Sequence, residues 1–349
     1  MDLEYVLPLK APAGADQNDL TAYLRQISAW LDVTVVDGSD PTAYAQNHAR
    51  WSGFVRHLPP DPWPGRNGKV SGVVTGVRLT RHEFVVIADD DVRWDRPSLE
   101  RAAALLRDAD LVRPQNVFDP LPWHARWDTA RSLLNRAFGA DYPGTYLLRR
   151  STFLQMGGYD GDVMFENLEM SRTIRATGGR ELCAGSIFVP RRPPTVDHFL
   201  GQRVRQAYDD FAQPVRLVVE AALLPLLLGL VRAATRGRAR QAAAGLIGLL
   251  TASVALAERG RRADGGAAHF PATAALWAPA WILERAVCVW FAIGHRVAGG
   301  VPYGGQRLPS AAHSLRWLRR HTDRRPVLDQ APVFSRWGSA TGLDSGEPR

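Results

Sequence analysis

The chain has 349 residues, of which 46% are hydrophobic and 22% charged, so it is long enough for about two domains with buried cores. This composition excludes a disordered tail protein, a collagen-like fibre and a disulfide-stapled mini-domain. The net charge of +8 is unevenly spread, because residues 1–212 carry 25 basic and 27 acidic side chains whereas residues 213–349 carry 18 and 8. The basic C-terminal part therefore indicates an anionic partner, either nucleic acid or membrane.

The cysteines and the N-terminus indicate the compartment. Cys183 and Cys288 are far apart in the sequence, which favours a reducing compartment over a disulfide framework. Asp2 and Glu4 precede a short apolar run, which is not typical of a secretory signal. We therefore expect the N-terminal part of the chain to lie in the cytoplasm.

From residue 4 to about residue 190, short β-like runs alternate with amphipathic helical patterns. The predicted strands cover residues 4–9, 33–36, 83–88 and 111–112, and the predicted helices cover residues 18–31, 70–79 and 98–107. This alternation predicts an α/β fold with a mainly parallel sheet flanked by helices. Ligands of such sheets bind beyond the carboxyl ends of the strands, where two of these strands end in aspartates.

The sequence changes character after residue 213. Apolar stretches at 217–231, 242–257 and 274–294 predict helices, but none has the 18–20 uninterrupted apolar residues of a clear membrane span. If the first stretch crossed the membrane, the arginines that follow it would lie outside, against the positive-inside tendency. We favour re-entrant or interface-lying helices beside anionic headgroups over a simple set of membrane spans, and a soluble helical subdomain is a further alternative.

These patterns divide the chain into three regions. Residues 1–212 form the predicted α/β domain, and residues 213–305 form the apolar and basic helical region. Residues 306–349 are polar and rich in Arg, Pro and Ser, and we expect them to be a loosely ordered tail.

Three consecutive carboxylates follow the predicted strand at 83–88. Asp89, Asp90 and Asp91 repel one another unless a cation or hydrogen-bond donors compensate them. Asp89 and Asp91 point to the same side of an extended backbone, and Mg²⁺ or Mn²⁺ commonly uses one or two carboxylates together with substrate phosphates. The triplet therefore predicts a metal site, the alternative being a solvated acidic turn.

Two further residues are candidates for donor binding. Asp37 ends the strand at 33–36, where a carboxylate accepts hydrogen bonds from a nucleobase or ribose, or else forms a turn. Lys69, one of only two lysines, lies at a predicted helix N-terminus. That position suits a phosphate or pyrimidine contact, although a plain surface lysine is the alternative.

The order of these motifs resembles the donor half of family 2 glycosyltransferases with a GT-A fold. It is similar to the membrane-associated, lipid-glycosylating branch of ceramide-glucosyltransferase-like enzymes, over residues 4–212. The motifs that carry the resemblance are Val35-Val36-Asp37-Gly38-Ser39, Asn67-Gly68-Lys69, Asp89-Asp90-Asp91, Gly157-Gly158-Tyr159-Asp160, Phe165-Glu166-Asn167-Leu168-Glu169 and Gln202-Arg203-Val204-Arg205-Gln206-Ala207-Tyr208. The resemblance implies that Asp37 contacts the nucleotide base and that Asp89 and Asp91 hold the metal on the donor diphosphate.

Two positions depart from the family pattern. The family has Glu-Asp where this chain has Glu166-Asn167, and asparagine cannot act as the general base that the aspartate normally supplies. Glu166, or Glu169 one helical turn away, is the predicted substitute. Gln202 and Arg205 match the family's Gln-x-x-Arg-Trp motif, but Gln206 stands where that motif has tryptophan. Arg205 is expected to neutralise the leaving diphosphate.

Together these patterns predict a metal-dependent, inverting glycosyltransferase of a bacterial cell envelope. Its donor is a nucleotide-diphosphate sugar, expected to be a UDP-sugar, and its acceptor a lipid or a cell-envelope glycan at the cytoplasmic face of an anionic membrane. The alternative is a catalytically inactive, membrane-bound scaffold that retains nucleotide-sugar binding. Nucleic-acid binding explains the basic C-terminal part but not the aspartates, so we expect no nucleic-acid partner.

Overall fold

A computed structural model describes residues 2–321 and 327–328. Its N-terminal part is built on a seven-stranded sheet of order β3-β2-β1-β4-β6-β5-β7. The strands are β1 (Leu3–Leu9), β2 (Asp32–Asp37), β3 (Arg56–Leu58), β4 (Phe84–Ala88), β5 (Leu111–Phe118), β6 (Thr145–Arg149) and β7 (Glu181–Arg191). Strand β6 runs antiparallel to both of its neighbours, and the other pairs are parallel.

Helices cover both faces of the sheet. In chain order they are α1 (Asn18–Ser28), α2 (Pro41–Trp51), α3 (Gly68–Leu79), α4 (Arg96–Leu105), α5 (Trp123–Ala137), α6 (Arg150–Gln155), α7 (Glu166–Ala176), α8 (Val196–Gly201) and α9 (Arg203–Asp209). One buried cluster joins the sheet to α1, α2 and α4, and a second joins it to α3, α6 and α7. The predicted mainly parallel sheet flanked by helices is confirmed.

Local sequence explains where several of these helices begin. Asp40 caps α2 by accepting hydrogen bonds from two backbone amides of its first turn, and Pro41 follows it. Asp95 caps α4 in the same way, accepting from the amide of Ser98. A carboxylate cap followed by proline is a strong helix start, because it satisfies free amides and presets the backbone.

Three long apolar helices follow the sheet domain, as predicted. They are α10 (Pro214–Ala233), α11 (Ala239–Arg262) and α12 (Ala278–Val297), and a left-handed Gly237 at φ 82° turns the chain between the first two. By length and composition, the segments Pro214–Ala268 and Ala272–Val297 could cross a membrane, and only 11% of the most apolar window in the first is buried. Whether they span or lie in the interface stays a prediction.

The predicted tail differs from the structure over residues 306–321. Strands β8 (Val301–Tyr303) and β9 (Gln306–Leu308) form a hairpin, and α13 (Leu315–His321) packs against α7. Leu308 and Leu318 are fully buried, which the polar composition around them concealed. The expectation of a loosely ordered tail is wrong for these residues, and the remainder, 322–326 and 329–349, lies outside the described part.

Strand β5 is also longer than predicted. The sequence indicates a strand only at residues 111–112, whereas the structure continues it to Phe118. The added segment contains Pro114 and Asn116, whose residue types are depleted in strands, but residues 115–118 pair with β7 after a register shift. Pairing with a distant strand therefore overrides local preference here.

Candidate functional site

The candidate site lies where the central strand β4 ends. Asp89, Asp90 and Asp91 follow Ala88 directly, as the strand prediction requires. The amide of Asp89 donates to the carbonyl of Gly144 at 2.8 Å, and the amide of Arg192 donates to the carbonyl of Asp91 at 2.7 Å. The acidic turn is thus held between the segments that precede β6 and follow β7.

Two cations connect the carboxylates of the site. Lys69 Nζ lies 2.6 Å from Asp89 Oδ1 and 2.7 Å from Glu166 Oε1. Arg191 Nε donates to Asp91 Oδ2 at 2.7 Å, and its Nη2 lies 3.4 Å from Asp89 Oδ2. The structure therefore brings together four of the predicted residues, Lys69, Asp89, Asp91 and Glu166, with Arg191 as a fifth member.

The carboxylates of the site outnumber the two cations that pair with them. Burial raises the pKa of Asp91 to about 6, although the Arg191 guanidinium opposes this shift. Burial also raises the pKa of Asp90, and the charge of Asp89 adds to the effect. Burial disfavours the charged form of Lys69, but the carboxylates of Asp89 and Glu166 outweigh it and raise its pKa. Three carboxylates, those of Asp89, Asp91 and Glu166, share two cations, and this excess of acidic groups favours a further positive charge at the site.

The residues present fit a divalent metal ion. Asp91 Oδ1 is buried and has no hydrogen-bond partner within the described residues. An unpartnered buried carboxylate oxygen next to other acidic groups is a donor of the type that Mg²⁺ and Mn²⁺ prefer. Asp89 and Asp91 are therefore the residues that could hold the predicted ion.

The N-terminus of α3 positions Lys69. Asn67 caps the helix by accepting from the Lys69 amide at 3.2 Å, and its side-chain nitrogen donates to the carbonyl of Val163 at 3.0 Å. The Tyr303 hydroxyl also donates to Asn67 Oδ1, at 3.1 Å. The lysine ammonium thus pairs with two carboxylates in this structure, and its predicted contact with a phosphate or pyrimidine stays a prediction.

Asp37 lies at the same edge of the sheet, but strand β1 separates its strand from β4. Its buried carboxylate accepts hydrogen bonds from the Ser39 amide at 2.9 Å, Asn47 Nδ2 at 2.9 Å and His57 Nε2 at 3.1 Å. Burial alone raises its pKa, but hydrogen bonds from His57, Ser39 and Asn47 lower it to about 2. Asp37 therefore stabilises the turn after β2, and its contact with a nucleobase stays a prediction.

Glu166 and Glu169 face different surroundings. Glu169 is fully buried and accepts from the His313 amide at 2.7 Å and from His313 Nδ1 at 3.0 Å. Asp160 joins this pair, and one ligand atom from each of the three residues lies within 4.8 Å of the others. Glu169 thus links α7 to the segment before α13, whereas Glu166 belongs to the cluster around Lys69.

The predicted diphosphate-binding residues lie on the α8–α9 segment. Gln202 Nε2 is 2.9 Å from His198 Nε2, and the Arg205 guanidinium lies 5.3 Å from the centre of the Tyr303 ring. Since Tyr303 also bonds to the cap of α3, Arg205 lies on the side of the site where Lys69 enters. Its predicted role with a leaving diphosphate is not tested by this arrangement.

Sequence reasoning missed Arg191, Tyr303 and His313. Arg191 ends strand β7 directly after the apolar run at residues 187–190, and this position is the only local signal that could have identified it. Tyr303 and His313 belong to the C-terminal segment, and no local pattern connects them with Asn67 or Glu169.

No family model and no curated protein matches the sequence of this chain. Among solved structures, it is similar to the mannosyltransferase PcManGT from Pyrobaculum calidifontis in complex with GDP-Man and Mn²⁺, with 19% identity, a TM-score of 0.49, and 83% of this chain and 87% of that one covered. It is also similar to S. aureus TarS in complex with UDP-GlcNAc, with 12% identity, a TM-score of 0.41, and 57% and 61% covered. A third structure is M. tuberculosis glucosyl-3-phosphoglycerate synthase with Mn²⁺ and UDP-Glc, with 16% identity, a TM-score of 0.41, and 60% and 78% covered.

Proposed function

We propose that the chain is a metal-dependent glycosyltransferase. It moves a sugar from a nucleotide-diphosphate donor, a UDP-sugar, to a lipid or cell-envelope glycan acceptor. The observation that carries this proposal is the cluster of Asp89, Asp91 and Glu166, joined by Lys69 and Arg191 at the carboxyl end of β4. This edge is where ligands bind in sheets of this class, and the sequence resemblance to family 2 glycosyltransferases points to the same residues.

In this proposal Asp89 and Asp91 hold Mg²⁺ or Mn²⁺, and Asp90 and Asp37 bind the nucleotide part of the donor. An ion held there would supply positive charge to neutralise the donor diphosphate. Arg205 and Gln202 approach that diphosphate from the α8–α9 segment. The net negative charge of the acidic turn supports this arrangement, because it favours the cation that an anionic donor requires.

Transfer proceeds by a single displacement in this proposal. The acceptor oxygen attacks the anomeric carbon and its proton passes to the Glu166 carboxylate, while the bond from the anomeric carbon to the diphosphate oxygen breaks. Attack opposite to the leaving group inverts the anomeric centre. Lys69 holds Glu166 Oε1 at 2.7 Å, which orients the carboxylate for this step.

A lipid-linked acceptor is supported by the C-terminal helices. Helices α10 and α12 expose large apolar side chains, and Arg232, Arg236, Arg238 and Arg240 cluster at the turn after α10. Apolar surface beside arginines suits an anionic lipid interface. We place this surface on the cytoplasmic side of the membrane, where nucleotide-sugars are available to the sheet domain.

A specific observation favours a second candidate, the inactive scaffold. The only carboxylate of the Glu166-Asn167 pair is already bonded to Lys69, and Asn167 cannot accept a proton as an aspartate does. A scaffold would bind the donor together with a metal ion but would neither transfer nor hydrolyse its sugar.

The test measures donor binding and turnover together. Thermal-shift titrations with a panel of UDP- and GDP-sugars, with and without Mn²⁺, should show a stabilisation that requires the metal for at least one donor. Asp91→Asn should abolish the metal-dependent part of this stabilisation and reduce sugar transfer or hydrolysis at least about 100-fold. Asp108→Asn, at an exposed aspartate outside the site, is the matched control.

Full activity of Asp91→Asn in the presence of a chelator would contradict the metal role. Metal-dependent donor binding without any sugar transfer or hydrolysis would favour the scaffold instead.

A further inference from the structure

Arg191 lies between the two aspartates that the proposed function assigns to the metal ion. Its side chain is 26% exposed and bonds to Oδ2 of both Asp89 and Asp91. Gly144 makes room for this contact, because a Cβ atom there would lie 2.5 Å from Asp89 Oδ2 and 3.2 Å from Arg191 Cζ. The guanidinium is therefore packed into the acidic site rather than directed at solvent.

The carboxylate oxygens of the pair are nearly all engaged. Asp89 Oδ1 bonds to Lys69, and both Oδ2 atoms face Arg191. Only Asp91 Oδ1 has no hydrogen-bond partner within the described residues. A divalent cation that takes one oxygen from each aspartate must therefore displace or share a bond that Lys69 or Arg191 makes to Asp89.

The two cations differ in how firmly they are anchored outside the pair. Lys69 is also bonded to Glu166, so it has a second carboxylate partner. The guanidinium of Arg191 has only the two aspartates as ion-pair partners among the described residues. Its planar fork matches a phosphate as well as it matches a carboxylate, so Arg191 can exchange one for the other.

We propose that Arg191 acts as a resident cation of the Asp89–Asp91 pair, which weakens metal binding in the donor-free protein and turns to the donor diphosphate when donor and metal bind together. The inference rests on the proposed function, since it requires a nucleoside diphosphate to receive the guanidinium. Metal and nucleotide would then bind with positive coupling, and each would raise the affinity for the other by the same factor.

Electrostatics give the direction of the expected effect. A guanidinium 2.7 Å from Asp91 Oδ2 and 3.4 Å from Asp89 Oδ2 repels an incoming divalent cation and occupies its ligands. Removal of that charge should strengthen Mn²⁺ binding in the absence of nucleotide. The same change should reduce the factor by which the nucleotide strengthens Mn²⁺ binding, because the diphosphate loses its guanidinium partner.

The neighbouring residue provides a matched control. Arg192 bonds to Asp19 at 3.0 Å through Nη2, and it contacts the acidic turn only through its backbone amide. Arg192→Gln therefore removes the same charge from an adjacent position without freeing the oxygens of Asp89 or Asp91.

The experiment titrates Mn²⁺ into the full chain and follows free Mn²⁺ by electron paramagnetic resonance, without nucleotide and with saturating UDP or GDP. Arg191→Gln should bind Mn²⁺ alone at least about tenfold more tightly than the unsubstituted protein. The factor by which the nucleotide strengthens Mn²⁺ binding should fall by a similar amount. Arg192→Gln should behave like the unsubstituted protein. Arg191→Lys, which restores a positive charge, should bring the Mn²⁺ affinity and the nucleotide's effect on it back towards the unsubstituted values.

A gain in metal affinity is not produced by structural damage, so it separates the proposed role from a purely structural one. Suppose that the unsubstituted protein binds Mn²⁺ and nucleotide but Arg191→Gln binds Mn²⁺ no more tightly. That result overturns this inference and leaves the proposed function standing. Absence of Mn²⁺ binding in every variant, with UDP and with GDP, overturns the proposed function and this inference together.

Discussion

Glu166 and Glu169 are one helical turn apart on α7, yet their carboxylates bond to different parts of the molecule. Glu166 pairs with the ammonium of Lys69 beside the acidic turn, whereas Glu169 accepts two hydrogen bonds from His313 of the C-terminal segment. The sequence offered both as the general base. The proposed function assigns that role to Glu166, because of these two glutamates only Glu166 lies in the cluster that contains Asp89.

Substitution of the two glutamates separates their roles. Glu166→Gln should lower kcat at least about 100-fold, because the amide cannot accept the acceptor's proton. Glu169→Gln should instead lower the free energy of unfolding by about 1–3 kcal/mol, since it disturbs a buried acceptor of two hydrogen bonds. Turnover and urea unfolding of both variants provide the measurement.

The two variants serve as controls for each other, because the chemical change is the same on the same helix. Equal loss of turnover in both, or no loss in either, would count against Glu166 as the base.

At the scale of elements, the close packing of α11 against α5 attaches the apolar helices to the sheet domain. Gly260 makes this approach possible, because a Cβ atom there would lie 1.8 Å from the Leu133 carbonyl oxygen and 2.9 Å from the Ala137 amide nitrogen. Backbone atoms cannot move aside as a flexible side chain does, so any larger residue must separate the two helices.

Gly260→Ala should therefore destabilise the protein by at least about 2 kcal/mol, since it forces a backbone shift in a packed interface. Gly248→Ala on the same helix is the matched control, because nothing lies within 4 Å of its Cβ position. That control should raise stability by up to about 1 kcal/mol through helix propensity. Urea unfolding measures both, and similar effects of the two substitutions would exclude the proposed packing role of Gly260.

At the scale of the whole molecule, positive charge and exposed apolar surface occur in the same region. Within the part of the chain that the structure describes, the helices after residue 213 hold most of the exposed large apolar residues, including Val215, Leu228 and Phe291. The four exposed arginines at the turn between α10 and α11 add positive charge to this surface. A nucleic-acid interface requires the charge but not the apolar side chains, so the combination favours a lipid surface.

Replacement of Arg232, Arg236, Arg238 and Arg240 by glutamine should weaken pelleting with anionic vesicles at least about tenfold at low salt, since each arginine contributes about 1 kcal/mol near such a surface. Binding to neutral vesicles should change little. The charge-matched control replaces four exposed arginines of the sheet domain together, namely Arg50, Arg96, Arg101 and Arg107. A shift of duplex DNA at matched salt, with no preference for anionic vesicles, would contradict the membrane assignment.

The local sequence was sufficient to predict the main elements of the sheet domain. Short apolar and β-branched runs identified β1, β2 and β4, and helical patterns identified α1, α3 and α4, because these signals lie within a few neighbouring residues. The acidic turn at Asp89–Asp91 was predictable for the same reason, since it follows a buried strand directly. The antiparallel direction of β6 and the length of β5 were not predictable, because both depend on pairing with distant strands.

The sequence by itself determined the α/β class, the position of the acidic turn and the separation of negative and positive charge along the chain. Only the tertiary structure decided which cations meet those carboxylates. Arg191 reaches Asp91 across 100 residues of chain, and His313 reaches Glu169 across 144. Such contacts have no local periodicity, because they arise only when the sheet and the C-terminal segment pack together.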